Sequence, residues 1–188
     1  MPMLTHRLLA AGSASLLAVG ILAGCAPAAP TPTHTPAATQ SPMFASDADA
    51  LKAATDAYAA YLKMSDTIAH DGGKDPERIK PFVTGAQLAQ QLRGFEVFSK
   101  DGLRSSGDTR FDTVSLQRWT QRGDGLVEVD LYMCTDVSDV RVLNSTGTDV
   151  TPGTRIDRLP IQIALQSQTT SGRLLLARSD SWSGNNFC

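Results

Sequence analysis

The sequence predicts an α+β fold, with N-terminal helices packed on one face of a curved antiparallel sheet. Two observations predict it. Between residues 46 and 102, apolar side chains recur at helical spacing behind capping signals. Beyond Gly107 the period changes from 3.6 to two, and glycines punctuate the rest of the chain.

Ordered structure is expected to begin at Ser46. Ser46-Asp47-Ala48-Asp49 has capping-box spacing, with Ser46 at the N-cap and Asp49 reaching back. Leu51, Ala54, Tyr58, Tyr61, Leu62 and Ile68 then form one apolar side of a first helix, which Gly72-Gly73 stops. Asp75-Pro76-Glu77 starts a second helix, a carboxylate followed by proline at the first helical position, and Pro81 interrupts it. Thr84-Gly85-Ala86-Gln87 repeats the capping-box spacing ahead of Leu88, Leu92 and Phe95, and Gly102 ends this third helix.

Residues 110–121 read as a strand with Val114 and Leu116 on one face, and Arg122-Gly123-Asp124-Gly125 as a turn. Residues 126–135 alternate cleanly, Val127, Val129, Leu131 and Met133 against Glu128, Asp130, Tyr132 and Cys134. Residues 138–144 read as another strand, turned by Thr146-Gly147. Leu159, Ile161, Ile163 and Leu165 alternate again, and Ser171-Gly172 leads into Arg173–Arg178.

Ahead of this domain lies a different kind of chain. Arg7 precedes Leu8–Leu22, a 15-residue apolar run softened by two serines. A membrane-spanning helix needs about 20 apolar residues. A basic start, a short apolar run and small residues at its end describe a secretory signal. The run closes with Leu22-Ala23-Gly24-Cys25, which resembles the bacterial lipobox at every position. That resemblance implies cleavage between Gly24 and Cys25 and a diacylglyceryl thioether on Cys25, whose thiolate is the nucleophile. Two or more acyl chains anchor stably where one binds only marginally. The competing account is an uncleaved N-terminal anchor with Cys25 an incidental thiol; both leave the remainder outside the cytoplasmic membrane.

From Ala26 to Ala45 the chain holds five of its ten prolines and no Asp, Glu, Lys or Arg. Such a stretch makes no core and favours extended polyproline II, roughly 3.1 Å per residue, or about 60 Å for 20 residues. The expected organisation is therefore signal 1–24, lipidated Cys25 and tether 25–45, and domain 46–188. The domain carries 35 of the 36 charged side chains, so the low overall 19% reflects its leader. A net charge of −2 excludes a protein built to neutralise many phosphates, and no nucleic-acid partner is expected.

With Cys25 assigned to lipid, Cys134 and Cys188 remain. An even count in an oxidising compartment favours a disulfide between them, and two free thiols are the alternative.

The lipobox, the Pro/Thr tether, three N-terminal helices, the strand meander, Cys134-Thr135-Asp136 and the terminal Cys188 together resemble actinobacterial lipoproteins with an NTF2-like domain. The similarity spans essentially the whole chain. It departs at Leu174-Leu175-Leu176, where no Trp-rich closing strand appears and Trp182 comes later. The resemblance implies a cone: a strongly bent sheet wraps around the helices and leaves a cavity between them. It also implies functions ranging from ketosteroid-isomerase-like catalysis to simple binding or dimerisation.

Chemistry-bearing motifs are sparse. A Tyr58–Asp130 acid–base pairing can be drawn, but the simpler reading makes Tyr58 a core ring and Asp130 the solvated side of a strand. His70, in the last turn of the first helix, suits the helix dipole. Asp136 is expected to cap the turn at Val137-Ser138 or to pair with an arginine. No metal-ligand spacing, hydrolase elbow or phosphate-cradling glycine loop is present, so no catalytic residue, metal or cofactor is predicted. The expected role is a membrane-anchored binding domain whose partner is a small apolar ligand, a cell-envelope protein, or a second copy docked through the sheet face. The alternatives are an isomerase- or dehydratase-like enzyme using a cavity Tyr and Asp, and a structural dimerisation module.

Overall fold

Residues 41–168 and 171–188 are described by the structure, a computed structural model. The apolar run 8–22, Gly24, Cys25 and the tether to residue 40 lie outside the described residues. The elements run in the order α1 (Asp47–His70), a 3-10 helix (Pro76–Phe82), α2 (Gly85–Asp101), β1 (Arg104–Ser106), β2 (Arg110–Gln121), β3 (Val127–Asp136), β4 (Arg141–Leu143), β5 (Arg158–Ser167) and β6 (Leu174–Ser181). Helices pack on one face of a curved antiparallel sheet, an α+β arrangement. The main sheet has the order β2-β3-β5-β6, and β1 pairs with β4 in a separate ribbon.

The sheet's inner face is set by strict alternation. Val127, Val129, Leu131 and Met133 of β3 are fully buried, as are Ile163 and Leu165 of β5. Ala54, Tyr58, Tyr61 and Ile68 of α1 close over them, with Ile79 and Phe95 from the other two helices. Each such aliphatic side chain contributes about 1.5–3 kcal/mol. Where the family resemblance implies a cavity, the rings of Tyr58 and Tyr61, stacked at 5.7 Å, join Met133 and Ile68 in one buried cluster.

Three start signals resolve differently from their sequence reading. At α1, Ser46 accepts from the Asp49 amide at 3.2 Å, but Asp49 takes the Ser46 hydroxyl at 2.8 Å instead of reaching its backbone. Asp75 makes no side-chain cap, and Pro81 sits inside the 3-10 helix without ending it. Thr84 is the N-cap of α2 yet makes no side-chain capping bond; its backbone amide is tied to the Leu176 carbonyl at 2.9 Å. Gly102 does end α2, in the left-handed region. The strand expected over 138–144 shrinks to Arg141–Leu143, because Val137–Val140 is folded into a hydrogen-bonded turn.

Both ends of the described chain are fastened to the sheet. At the start, Gln121 accepts from the Met43 amide at 2.8 Å and donates to the Ser41 carbonyl at 3.2 Å. Trp119 donates to Asp47 at 2.8 Å and meets Phe44 edge-on. At the C-terminus, the tail after β6 crosses the outer sheet face. Trp182 packs edge-on against Tyr132 with centroids 5.0 Å apart, and Cys188 is bonded to Cys134, Cα atoms 5.6 Å apart.

Candidate functional site

An open concavity lies at the edge of the sheet, where α1 passes the start of β2. Ala59, Leu62, Lys63, Asp66 and Thr67 fall on one stripe of α1, at helical spacing. Asp108, Thr109, Arg110 and Phe111 form the opposing wall. The open groove between them measures about 570 Å³, within the range of small-molecule sites. A second recess of about 450 Å³ lies on the other side of Asp66 and Thr109, which line both. Gln91, Gly94 and Phe95 of α2, with Val140 and Val142, complete it. Gly107 makes the wall possible: its φ is +78°, and the Asp139 carbonyl stands where a β-carbon would be.

Asp66 is the polar centre of the groove. Its two oxygens accept from the Thr109 amide at 2.8 Å and the Thr109 hydroxyl at 2.9 Å. Among the described residues no cationic side chain comes within 4 Å of it. Half-burial pushes its carboxyl above the usual aspartate range, against the pull of the two Thr109 bonds, and Asp108 adds to the rise. Phe111 carries the wall inward to Tyr58, edge-on at 5.1 Å. Burial also raises the Tyr58 and Tyr61 hydroxyls, and Tyr61 donates to Gln91 at 3.0 Å.

The other acidic groups are occupied. Asp130 emerges on the face of β3 opposite to Tyr58, buried beneath Arg118 at 2.7 Å and Arg178 at 3.5 Å. A Tyr58–Asp130 pairing is therefore impossible, since alternation along β3 puts the two on opposite sides of the sheet. Asp136 takes both roles expected of it. It accepts from the Ser138 amide at 2.8 Å and stands 3.4 Å from Arg110, and the Ser138 bonds chiefly hold its carboxyl below the usual range. Arg110 also pairs with Asp139. His70 donates to the Gly107 carbonyl at 2.8 Å and lies 3.9 Å from Asp108.

Cys134 and Cys188 are thus together, while Gly24 and Cys25 lie outside the described residues. Sequence reasoning misses Asp66 altogether. Its partner Thr109 is 43 residues away, and a lone aspartate among polar helix residues carries no signal. The only trace is the stripe at 59, 62, 63, 66 and 67, in which apolar and charged residues share one side of the helix. Among the described residues no group of three His, Cys, Asp or Glu could hold a metal ion, and no helix is long and apolar enough to cross a membrane.

The class defined by these features is an α+β domain with a buried core under its helices and an open edge groove. No family model matches the chain, and no curated protein sequence matches it. Among solved structures, the chain is similar to the intermembrane space region of the chloroplast protein ARC6. The two are 10% identical with a TM-score of 0.52, covering 71% of this chain and 97% of that one. A periplasmic fragment of TraM gives 13% identity and a TM-score of 0.49, with 75% and 100% covered. Aln2 from a Streptomyces species gives 19% and 0.40, with 69% and 88% covered. At these identities the likeness is one of fold alone, and only the first score bears on it.

Proposed function

We propose that this chain is a lipid-anchored extracytoplasmic protein of the actinobacterial lipoprotein type, whose NTF2-like domain is a binding module and not an enzyme. The anchor rests on Leu22-Ala23-Gly24-Cys25 and the charge-free tether behind it. The binding role rests on one observation: Tyr58 and Tyr61 are packed into the buried cluster between α1 and the sheet, while the groove at its edge is open and holds Asp66 half-buried beside an apolar wall. General acid–base catalysis needs a second group poised beside the first, and among the described residues Asp66 is hydrogen-bonded to Thr109 alone.

Two measurements test the two halves. Feeding cells an alkyne-tagged palmitate should label the protein, and Cys25→Ala should abolish both label and membrane retention. Normal processing and retention of Cys25→Ala would sink the anchor. For the domain, thermal shifts of the full chain across a panel of small apolar and amphiphilic molecules should show stabilisation that Leu62→Trp, which fills the groove, removes. Stabilisation indifferent to Leu62→Trp would place binding elsewhere.

A further inference from the structure

The groove has a chemistry of its own, and its ligand class can be read from the group left without a counter-charge. Asp66 is half-buried, accepts one hydrogen bond on each oxygen, and has no cation within 4 Å among the described residues. Two aspartates of the neighbouring β3 are answered by arginine: Asp130 by Arg118 and Arg178, Asp136 by Arg110 and Arg158. The remaining charges at the groove make no ion pair with Asp66, although His70 draws its carboxyl down from a distance, as the weakest of the influences on it. Arg110 is drawn away to Asp136 and Asp139, and His70 is turned to the Gly107 carbonyl with Asp108 beyond it. Lys63, on the lip, is exposed and makes no ion pair among the described residues. A carboxylate withdrawn from water without a counter-charge costs free energy that an arriving cation returns. Beside it, Leu62 and Phe111 give an apolar wall, and the groove's 570 Å³ has room for a small ligand.

We propose that the groove binds a small ammonium group carried on an apolar stem, with Asp66 as its counter-charge and Leu62 and Phe111 as the wall for the stem. The proposal rests on the reading of the domain as a binding module and names the ligand class of that same groove. Each Asp66 oxygen keeps a lone pair beyond its Thr109 bond, so the ammonium is received without breaking the tie between α1 and β2.

The test is calorimetric titration of the full chain in neutral detergent at pH 7 with phenethylamine, and separately with phenethyl alcohol, its uncharged counterpart. The amine should bind about tenfold more tightly or better, the size expected for one charge-assisted hydrogen bond. Asp66→Asn should erase that difference while leaving the alcohol unaffected. Asparagine can still accept from the Thr109 amide and donate to its hydroxyl, so the fold is retained. Leu62→Trp should weaken both probes. The wild-type chain carries an independent check that needs no variant: phenethylamine should lower the pKa of Asp66, followed by its carboxyl carbon resonance. Equal affinity for amine and alcohol, both lost in Leu62→Trp, would overturn the ammonium proposal and leave the binding module standing. Amine binding unchanged in Asp66→Asn, or an unmoved Asp66 resonance, would also overturn it. Absence of binding by either probe would overturn the proposal and count against the groove as a ligand site.

Discussion

Arg158 holds Asp112 through both terminal guanidinium nitrogens, at 2.7 and 2.6 Å, reaching from β5 to β2 across the intervening β3. The same guanidinium donates through Nε to the Cys188 carbonyl at 3.3 Å. The residue of β3 paired with Asp112 is Cys134. One arginine thus brackets the disulfide, joining two strands and the chain terminus at one place.

This pair should be visible in acid. The Arg158 hydrogen bonds hold the Asp112 carboxyl down to about 2, with Thr113 assisting. A depressed carboxyl favours the folded state above its ordinary value of about 4 and loses that contribution as pH falls toward 2. Arg158→Ala should return Asp112 toward the ordinary value, measured by carboxyl carbon NMR. It should also remove this part of the acid sensitivity. An unmoved Asp112 titration would show that the bidentate pair does not form.

Opening the disulfide should cost more than any single surface contact. Cys134 and Cys188 are 54 residues apart, and chain-entropy arithmetic gives about 4 kcal/mol for a loop of that size. Cys188→Ser should lower the denaturant midpoint accordingly. It should also alter the near-ultraviolet dichroism of Trp182 and Tyr132, whose contact depends on the tail lying flat. A lower midpoint with unchanged aromatic dichroism would mean that the tail stays docked without its bond.

Asp66 gives the opposite pH behaviour from Asp112. Burial raises its carboxyl in the folded state, so ionisation opposes folding. That penalty is absent below the ordinary aspartate pKa of about 4 and grows as pH rises through it. Asp66→Asn should therefore gain stability relative to wild type between acid and neutral pH, followed by denaturant midpoints across that range. A difference that shrank with rising pH would contradict the assignment.

Two glycines should respond with opposite signs. A β-carbon on Gly94 meets nothing within 4 Å, since the residue faces the recess beside α2. Gly94→Ala should stabilise by about 0.5–1 kcal/mol through helix propensity alone. At Gly107 the added carbon would stand 2.1 Å from the Asp139 carbonyl oxygen, with φ at +78°. Gly107→Ala should destabilise by about 2 kcal/mol or more and disturb the Asp66–Thr109 bonds next to it. Thermal denaturation distinguishes the two outcomes directly.

The elements legible in the sequence are those whose signal is local. The stripe from Leu51 to Ile68 and the alternation from Val127 to Met133 each carry their own periodicity, and both occur as expected. The features that escape it depend on distant partners. The short β1 has no periodicity to show, because three residues suffice once Val142 lies opposite Ser105. The register shifts in β2 at Asp112/Ser115 and Leu116/Arg118 interrupt its pairing with β3, and no pattern within β2 encodes them. Asp130 occupies the polar phase of its strand, so alternation places it correctly on the outer face. Alternation cannot tell that Arg118 and Arg178 bury it there. The candidate groove is least legible, being made from a helix and a strand start that meet only in the fold.

The fastening of Ser41 and Met43 to Gln121 has a mechanical meaning. Tension on the chain ahead of Ser41 would first load the two Gln121 hydrogen bonds, and next the Trp119–Asp47 bond and the Phe44 ring seated on Trp119. Because Gln121 and Trp119 belong to β2 and Asp47 opens α1, the clasp passes such a pull to helix and sheet together. The domain therefore meets its leading chain as a housing grips a cable, over several contacts that share the load and not at a single bond.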